Sequence, residues 1–249
     1  MSDINLIFYI LLLLEVVLQT IAGVGVLVLG TPLLLILEYS IVEAISILLP
    51  ISILTSLINL IYFKFSINKK NILTIDKDTK KSFFKLCMPA IFFGILFLKI
   101  FHDLLNFKII VSLTILTTVA IKTYYGTSII NFSKNKKKII LFFIGIVHGV
   151  TNSGGALLSI FILNLNNNLK NQTRYVLTFF YFFLALVQYL IFIMVFQNAL
   201  APTMIFYSIL IVLFGIFLGN FLTKFIDEKY FKFLVQLLAI ISALFLIML

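Results

Sequence analysis

The segment His148-Gly149-Val150-Thr151-Asn152-Ser153-Gly154-Gly155 lies in the middle of an apolar run over residues 139–164. Glycine and small polar residues can interrupt a helix, and at membrane depth the freed backbone must face protein or a water-filled cavity. A second interruption, Ala22-Gly23-Val24-Gly25, falls within the first apolar run, residues 4–37. The breaks at Gly25 and Gly155 lie 130 positions apart, so the chain is predicted to consist of two related halves.

The composition around these breaks is that of a membrane protein. Of 249 residues, 62% are hydrophobic and 11% are charged, which is too few polar residues to cover a water-exposed surface. Apolar runs long enough to cross ~30 Å of hydrocarbon recur at 41–63, 105–121, 175–196 and 203–223. Continuous runs of this length predict helices rather than barrel strands. We therefore expect an all-α polytopic membrane protein.

Charged residues predict how the helices are oriented. Basic residues are concentrated in four segments, 64–85, 134–138, 170–174 and 224–232, whereas the connections near 38–43 and 101–105 carry acidic residues. Basic connections face the cytoplasm by the positive-inside rule. The pattern is self-consistent only if 4–37 and 139–164 each enter and leave the membrane on the same side. The alternative is eight ordinary spans with an imperfect charge bias.

The resulting prediction is a single transmembrane domain, 1–249, of two inverted repeats, each a broken or re-entrant helical hairpin plus three transmembrane helices. The first repeat, 1–132, has its hairpin at 4–37, spans near 41–63, 83–101 and 105–131, and a cytoplasmic basic loop at 64–82. The second repeat, 139–249, has its hairpin at 139–164 and spans near 174–196, 202–223 and 230–249. Both termini then lie on the periplasmic or extracellular side. Paired broken helices in inverted repeats are typical of secondary transporters and mark their binding sites.

The two breaks predict a binding site for a small anion. A half-helix beginning at 153–156 directs free N–H groups and the positive end of its dipole toward the break. In the first half, the stretch from Gly23 to Pro32 is followed by an apolar half-helix, and Pro32 disfavours a helical residue before it. The candidate substrate-binding residues are Gly23, Gly25, Thr31, Thr55, Asn59, Thr151, Asn152, Ser153, Gly154, Gly155 and Gln188. Close helix packing is the alternative for Gly23 and Gly30, and interhelical hydrogen bonding for Thr55, Asn59 and Gln188.

Four polar residues in apolar segments are candidates for ion coupling or anion attraction. His148 can titrate near neutral pH, and Glu15 and Gln19 lie one helical turn apart. A buried hydrogen bond is the alternative for each of them. Lys122 is either an intramembrane cation or a side chain that extends to the cytoplasmic face. Arg174, which begins a span, is interpreted as an interfacial anchor.

Three motifs carry a family resemblance: Gly23 to Pro32, Thr55-Ser56-Leu57-Ile58-Asn59, and the run from Gly145-Ile146-Val147-His148-Gly149 through Gly154-Gly155 to the 173–196 span. With these motifs the chain resembles the sulfite exporter (TauE/SafE-type) permeases over nearly its full length. The family's glycine-dense pattern is thinned here by Val24 and Val26, and the second break lacks an equivalent of Pro32. The resemblance implies transport of sulfite, organosulfonates or related anions across the cytoplasmic (inner) membrane.

Other function classes fit the sequence less well. The net charge of +10 follows from membrane orientation, so no nucleic-acid partner is expected. Cys87 is the single cysteine, and His148 lacks the neighbouring ligands that metal chemistry needs, so no cofactor, metal or enzymatic activity is predicted. The expected partners are a small anion, protons or sodium, the lipid bilayer and a second copy in a homodimer. The alternative to transport is a membrane scaffold or assembly factor, which would not need polar breaks.

Overall fold

The structure is a computed structural model that describes residues 2–23, 26–66, 75–125, 134–165, 170–196 and 202–225, with single positions at 227, 237, 240, 244 and 247. Among these residues all regular secondary structure is helical, which confirms the all-α prediction. The helices are α1 (Ser2–Ala22), α2 (Val26–Ile36), α3 (Ile41–Ser66), α4 (Lys77–Ser82), a π-helical turn (Phe83–Cys87), α5 (Met88–Phe101), α6 (Phe107–Tyr125), α7 (Lys134–Thr151), α8 (Gly154–Leu165), α9 (Lys170–Val195) and α10 (Pro202–Leu222). The span predicted at 230–249 lies almost entirely outside the described residues.

Three continuous helical segments in the described part of the chain are long and apolar enough to cross a membrane: Ile41–Phe65, Lys77–Phe101 and Gln172–Val195. The second of these begins earlier than predicted, inside the segment 64–82 that was expected to be a loop. It begins there because the Asp76 carboxylate accepts hydrogen bonds from the backbone N–H groups of Asp78 (3.4 Å) and Thr79 (3.0 Å). Asp76 thereby caps α4, which continues through the π-helical turn into α5.

Two short helices follow the predicted breaks. α1 ends at Ala22 and α7 at Thr151, and each is followed by a left-handed residue, Gly23 (φ 77°) and Asn152 (φ 61°). The N–H of Gly23 donates to the Gln19 carbonyl (2.7 Å), and the N–H of Asn152 donates to the His148 carbonyl (2.9 Å). Both ends are therefore the same type of helix C-cap.

The short helices α2 and α8 contain 11 and 12 residues. α8 begins at Gly154, within the predicted range 153–156. The expectation that a half-helix follows Pro32 was wrong, because Pro32 lies inside α2, which begins at Val26. Proline removes one backbone donor but its φ suits a helix, and membrane helices tolerate it where neighbouring groups satisfy the freed backbone.

The most extensive helix contacts pair α1 with α10, α7 with α5, and α3 with α9. Small residues permit the close approach of backbones at two of these contacts. A Cβ atom on Gly94 of α5 would lie 2.8 Å from the Cα atom of Gly149 in α7. A Cβ atom on Gly219 of α10 would lie 2.7 Å from the Cβ atom of Thr20 in α1. α7 is thus held by direct backbone contact with α5, and α1 by the contact of its Thr20 side chain with the backbone of α10.

We predict that Gly94→Val lowers the stability of the protein, because the added side chain would collide with the backbone of α7. Overpacking of this kind costs about 1–3 kcal/mol. The matched control is Phe93→Val on the same helix, where the side chain is 56% exposed in the structure. Thermal unfolding in detergent should show a clear loss for Gly94→Val and a smaller one for Phe93→Val. Equal losses would contradict the close contact.

Candidate functional site

The first break is closed by side chains of the protein itself. The Gln19 side chain donates to the Ser56 hydroxyl (2.9 Å) and accepts from the N–H of Val26 (3.2 Å), the first residue of α2. The N–H of Leu27 donates to the Tyr181 hydroxyl (3.2 Å). The first two amides of α2 therefore already have acceptors. These two amides are therefore not free to bind an anion.

One hydrogen bond joins the second break to α2. The Asn152 side-chain nitrogen donates to the Thr31 hydroxyl over 3.0 Å, and both residues are fully buried. The Thr31 hydroxyl in turn donates to the Leu27 carbonyl (2.8 Å). Because its hydrogen is committed, Thr31 can only accept from Asn152, which fixes the orientation of the amide. The structure thus brings together two of the predicted site residues from opposite halves of the chain.

A second set of bonds converges on the carbonyl of His148. It accepts from the N–H of Asn152 (2.9 Å) and from the side-chain nitrogen of Gln188 in α9 (3.0 Å). Within the described part of the chain, both ring nitrogens of His148, Oδ1 of Asn152 and Oε1 of Gln188 have no hydrogen-bond partner. All three residues are 0% exposed. Buried polar atoms without partners are rare in folded proteins, so this concentration at one break marks a candidate site.

Glycines make room for two large side chains beside this site. A Cβ atom on Gly155 would overlap the ring of Tyr181, and one on Gly154 would lie 2.6 Å from the Cβ atom of His148. The His148 and Tyr181 ring centroids are 6.4 Å apart. The packing of His148 and Tyr181 against the start of α8 therefore requires glycine at both positions. Tyr181 was not predicted as a site residue, since it lies in an aromatic run that offers no distinguishing signal.

The polar residues of the second break hold its turn together. The Thr151 hydroxyl donates to the Val147 carbonyl (2.8 Å) and accepts from the N–H of Ser153 (3.2 Å). The Ser153 hydroxyl donates to the Thr151 carbonyl (3.2 Å). Gly154 and Gly155 form the first turn of α8, so their N–H groups have no acceptor within that helix. Both amides lie at the N-terminus of α8, beside the second break.

Thr55 and Asn59 make hydrogen bonds within the helix bundle. The Thr55 hydroxyl donates to the Ile51 carbonyl of its own helix (2.8 Å). The Asn59 side chain donates to the Thr20 hydroxyl (3.1 Å), and its oxygen accepts from Asn220 of α10 (3.4 Å). No described hydrogen bond joins either residue to the second break.

Among the coupling candidates, Glu15 is buried in the packing of α1 against α2. Its residue is 3% exposed, and a Cβ atom on Gly30 would lie 2.5 Å from Oε2, which has no partner among the described residues. Lys122 belongs to α6, but its side chain lies outside what the structure describes, as does Gly25. The described residues contain no group of three or more His, Cys, Asp or Glu side chains that could hold a metal ion.

The structure corrects the interpretation of Arg174. The residue is 7% exposed, its guanidinium donates to the Thr20 carbonyl (2.6 Å), and it lies 5.1 Å from the ring centroid of Phe63. Carbonyls at a helix C-terminus carry partial negative charge, so Arg174 stabilises the end of α1 beside the first break. The position of Arg174 at the start of an apolar span does not predict this contact.

We predict that glycine is preferred over alanine at position 152, and alanine over glycine at position 156. At Asn152, which is left-handed, Asn152→Ala should be less stable than Asn152→Gly by about 1–2 kcal/mol. Both variants lose the bond to Thr31, so the difference isolates the backbone. The control is Ala156 in α8, where glycine should instead cost up to ~1 kcal/mol. The same order at both positions, measured by thermal unfolding, would contradict the described C-cap.

Comparison with known proteins gives one match. A family model described as "Sulfite exporter TauE/SafE" matches residues 7–246, nearly the whole chain. The match confirms the resemblance inferred from the sequence. No curated protein and no solved structure gives a significant match.

Proposed function

Because the chain belongs to the sulfite exporter TauE/SafE family, whose members are membrane transporters of sulfur anions, we propose that it moves sulfite, an organosulfonate or a related anion across the cytoplasmic membrane. The proposed mechanism is secondary transport by alternating access. The observation that carries the substrate site is the group of fully buried, unpartnered polar atoms on His148, Asn152 and Gln188. These atoms surround the end of a broken helix, where a transporter of this type binds its substrate.

The proposed anion site lies at the second break alone. The first turn of α8 offers the amides of Gly154 and Gly155 and the positive end of the helix dipole, which together favour an oxyanion. A neutral His148 ring adds one further donor. At the first break, in contrast, Gln19 and Tyr181 occupy the amides of α2. We therefore assign the first break a supporting role, in which Thr31 positions Asn152.

Several contacts support the proposal of two inverted repeats, 1–132 and 139–249. α1 and α7 both end in a left-handed C-cap and are both followed by a short helix. α1 packs on α10 and α7 packs on α5, so the first helix of each half contacts a later helix of the other half. α3 and α9, which follow the two short helices, pack against each other. Exchange of the two halves would reproduce this pattern if α5 corresponds to α10.

We further propose that transport is coupled to protons or sodium. Glu15 is the candidate acidic group for this role, because its carboxyl group is buried and one oxygen has no partner among the described residues. His148 is the second candidate, since neither of its ring nitrogens has a hydrogen-bond partner among the described residues. Either group could bind or release a proton during the transport cycle.

The decisive experiment is a flux assay in proteoliposomes with labelled sulfite. We expect flux above that of empty liposomes, and we expect Asn152→Gly to reduce it by about tenfold or more, because the variant keeps the backbone conformation but loses the side chain that joins the second break to Thr31 of α2. The control is Asn59→Ala, which removes a structural amide from α3. Its flux per amount of folded protein should stay close to that of the unmodified protein. Absence of flux in the unmodified protein would defeat the transport proposal. Normal flux in Asn152→Gly would defeat the site assignment.

The proposed topology predicts the outcome of cysteine labelling. Cys87 is buried, so single cysteines introduced at Glu38, Lys138 and Asn167 can be read separately. If 4–37 and 139–164 are hairpins, Glu38→Cys reacts with an impermeant maleimide added to intact cells. Lys138→Cys and Asn167→Cys should react only after the membrane is opened. Labelling of Asn167→Cys from outside would show that residues 139–164 cross the membrane.

A further inference from the structure

Two lysine-rich segments meet at one end of the helix bundle. Residues 76–85 contain four lysines and two aspartates, and residues 134–138 contain four lysines. The first segment forms α4 and the π-helical turn, and the second forms the start of α7. α7 packs against both α4 and the π-helical turn. Because the two segments are distant in the sequence, their proximity is a property of the fold.

Glycine contacts of α7 fix the register between the two segments. A Cβ atom on Gly145 would collide with the backbone carbonyl of Cys87, and one on Gly149 would lie 2.5 Å from the carbonyl oxygen of Ile91. From the first contact to the second, the residue number rises on α7 and also on the continuous helix Lys77–Phe101. The two helices therefore run parallel, and both begin at the same end of the bundle.

This register places lysines of the two helices side by side. Lys81 lies six positions before Cys87, and Lys138 lies seven positions before Gly145, so the two lysines are at nearly the same height. We define the basic patch as the lysines at this end of the two helices whose positions relative to solvent are described. They are Lys77, Lys81, Lys85, Lys136 and Lys138, which are exposed, and Lys137, which is half-buried.

The basic patch carries more positive than negative charge. Its acidic neighbours in these segments are Asp76 and Asp78. The hydrogen bond from the Thr79 hydroxyl (2.6 Å), and to a smaller extent the positive charge of Lys137, lower the pKa of Asp76. The lysines also lie at the positive ends of two parallel helix dipoles, where anions rather than cations are stabilising. A negatively charged group from outside the protein would therefore be attracted to this end of the bundle.

Exposed apolar side chains follow the basic patch along both helices. On α7 they are Ile139, Phe142 and Phe143, which come directly after the last lysine of the patch. On α5 they are Phe92 and Phe93. A soluble anion would contact the lysines alone. An amphiphile would contact both surfaces, since its charged headgroup is joined to apolar chains.

We propose that the basic patch binds the headgroup of an anionic phospholipid, whose acyl chains lie along the exposed aromatic side chains of α5 and α7. The positive-inside rule accounts for the side of the membrane on which lysines lie, but not for their convergence on two packed helices. Basic clusters next to membrane helices attract anionic lipids, and each lysine near the surface strengthens binding about fivefold. This binding does not depend on which anion the protein transports.

The test is thermal unfolding of the full-length protein in detergent micelles to which phosphatidylglycerol or phosphatidylcholine is added. A lipid that binds the folded protein stabilises it, so titration of the lipid gives an apparent affinity. We expect phosphatidylglycerol to raise the unfolding temperature more than phosphatidylcholine does. The difference should shrink as salt is added, because ions screen exposed charges.

Double variants assign the effect to the basic patch. Lys81→Gln combined with Lys138→Gln should weaken the apparent affinity for phosphatidylglycerol about tenfold or more. Lys81→Arg combined with Lys138→Arg keeps the charge and should retain most of the affinity. The matched control is Lys64→Gln combined with Lys224→Gln, which removes the same charge from exposed positions at the ends of α3 and α10. This control should bind phosphatidylglycerol as the unmodified protein does.

Three results would overturn the proposal. Equal stabilisation by the two lipids would show that the headgroup charge is not recognised. Equal weakening in the patch variant and the matched control would show that net charge alone attracts the lipid. Stabilisation by inorganic pyrophosphate as strong as that by phosphatidylglycerol would show that the patch binds soluble phosphate and that the acyl chains contribute nothing.

Discussion

A helix that is broken inside a membrane exposes backbone groups that hydrocarbon cannot satisfy, and this constraint shapes the whole centre of the protein. The cost of leaving such groups unpaired is several kcal/mol each in an apolar medium. This cost is comparable to the whole free energy of unfolding of a marginally stable domain. The protein meets the constraint in part with a left-handed C-cap at each break, which pairs one amide with a carbonyl one turn earlier. The remaining groups are treated differently in the two halves.

The difference depends on one side chain at equivalent positions before the breaks. Gln19 and His148 each supply the carbonyl that accepts the capping bond. Gln19 has a flexible amide that reaches forward to Val26 and sideways to Ser56, so it closes the first break. The shorter, rigid ring of His148 makes no such bond within the described residues, so the second break keeps its donors and acceptors available. One difference between two similar segments thus leaves the polar groups bonded at the first break and several of them unpartnered at the second.

The sequence alone was sufficient for the features that depend on local chemistry. The helical class, the positions of both breaks and the start of α8 followed from apolar length, glycine and small polar residues. The features that the sequence analysis did not predict depend on long-range contacts. Burial of Arg174, the bond from Leu27 to Tyr181 and the bridge from Asn152 to Thr31 each join positions more than a hundred residues apart, and no local pattern encodes them. Ser56 and Asn59 of α3 were recognisable as polar residues in an apolar helix, but only the structure shows that they bond to Gln19 and Thr20.

The glycine contact between α5 and α7 has a mechanical consequence. Where two backbones touch through Gly94 and Gly149, there is no side-chain layer that could shear, so the two helices must travel as one piece. At the contact of α1 with α10, in contrast, Gly219 meets the side chain of Thr20. The unit formed by α5 and α7 therefore combines residues 88–101 with residues 134–151, which come from different halves of the sequence. A motion that moved one half of the sequence against the other would have to break this backbone contact, so the fused pair resists such a motion.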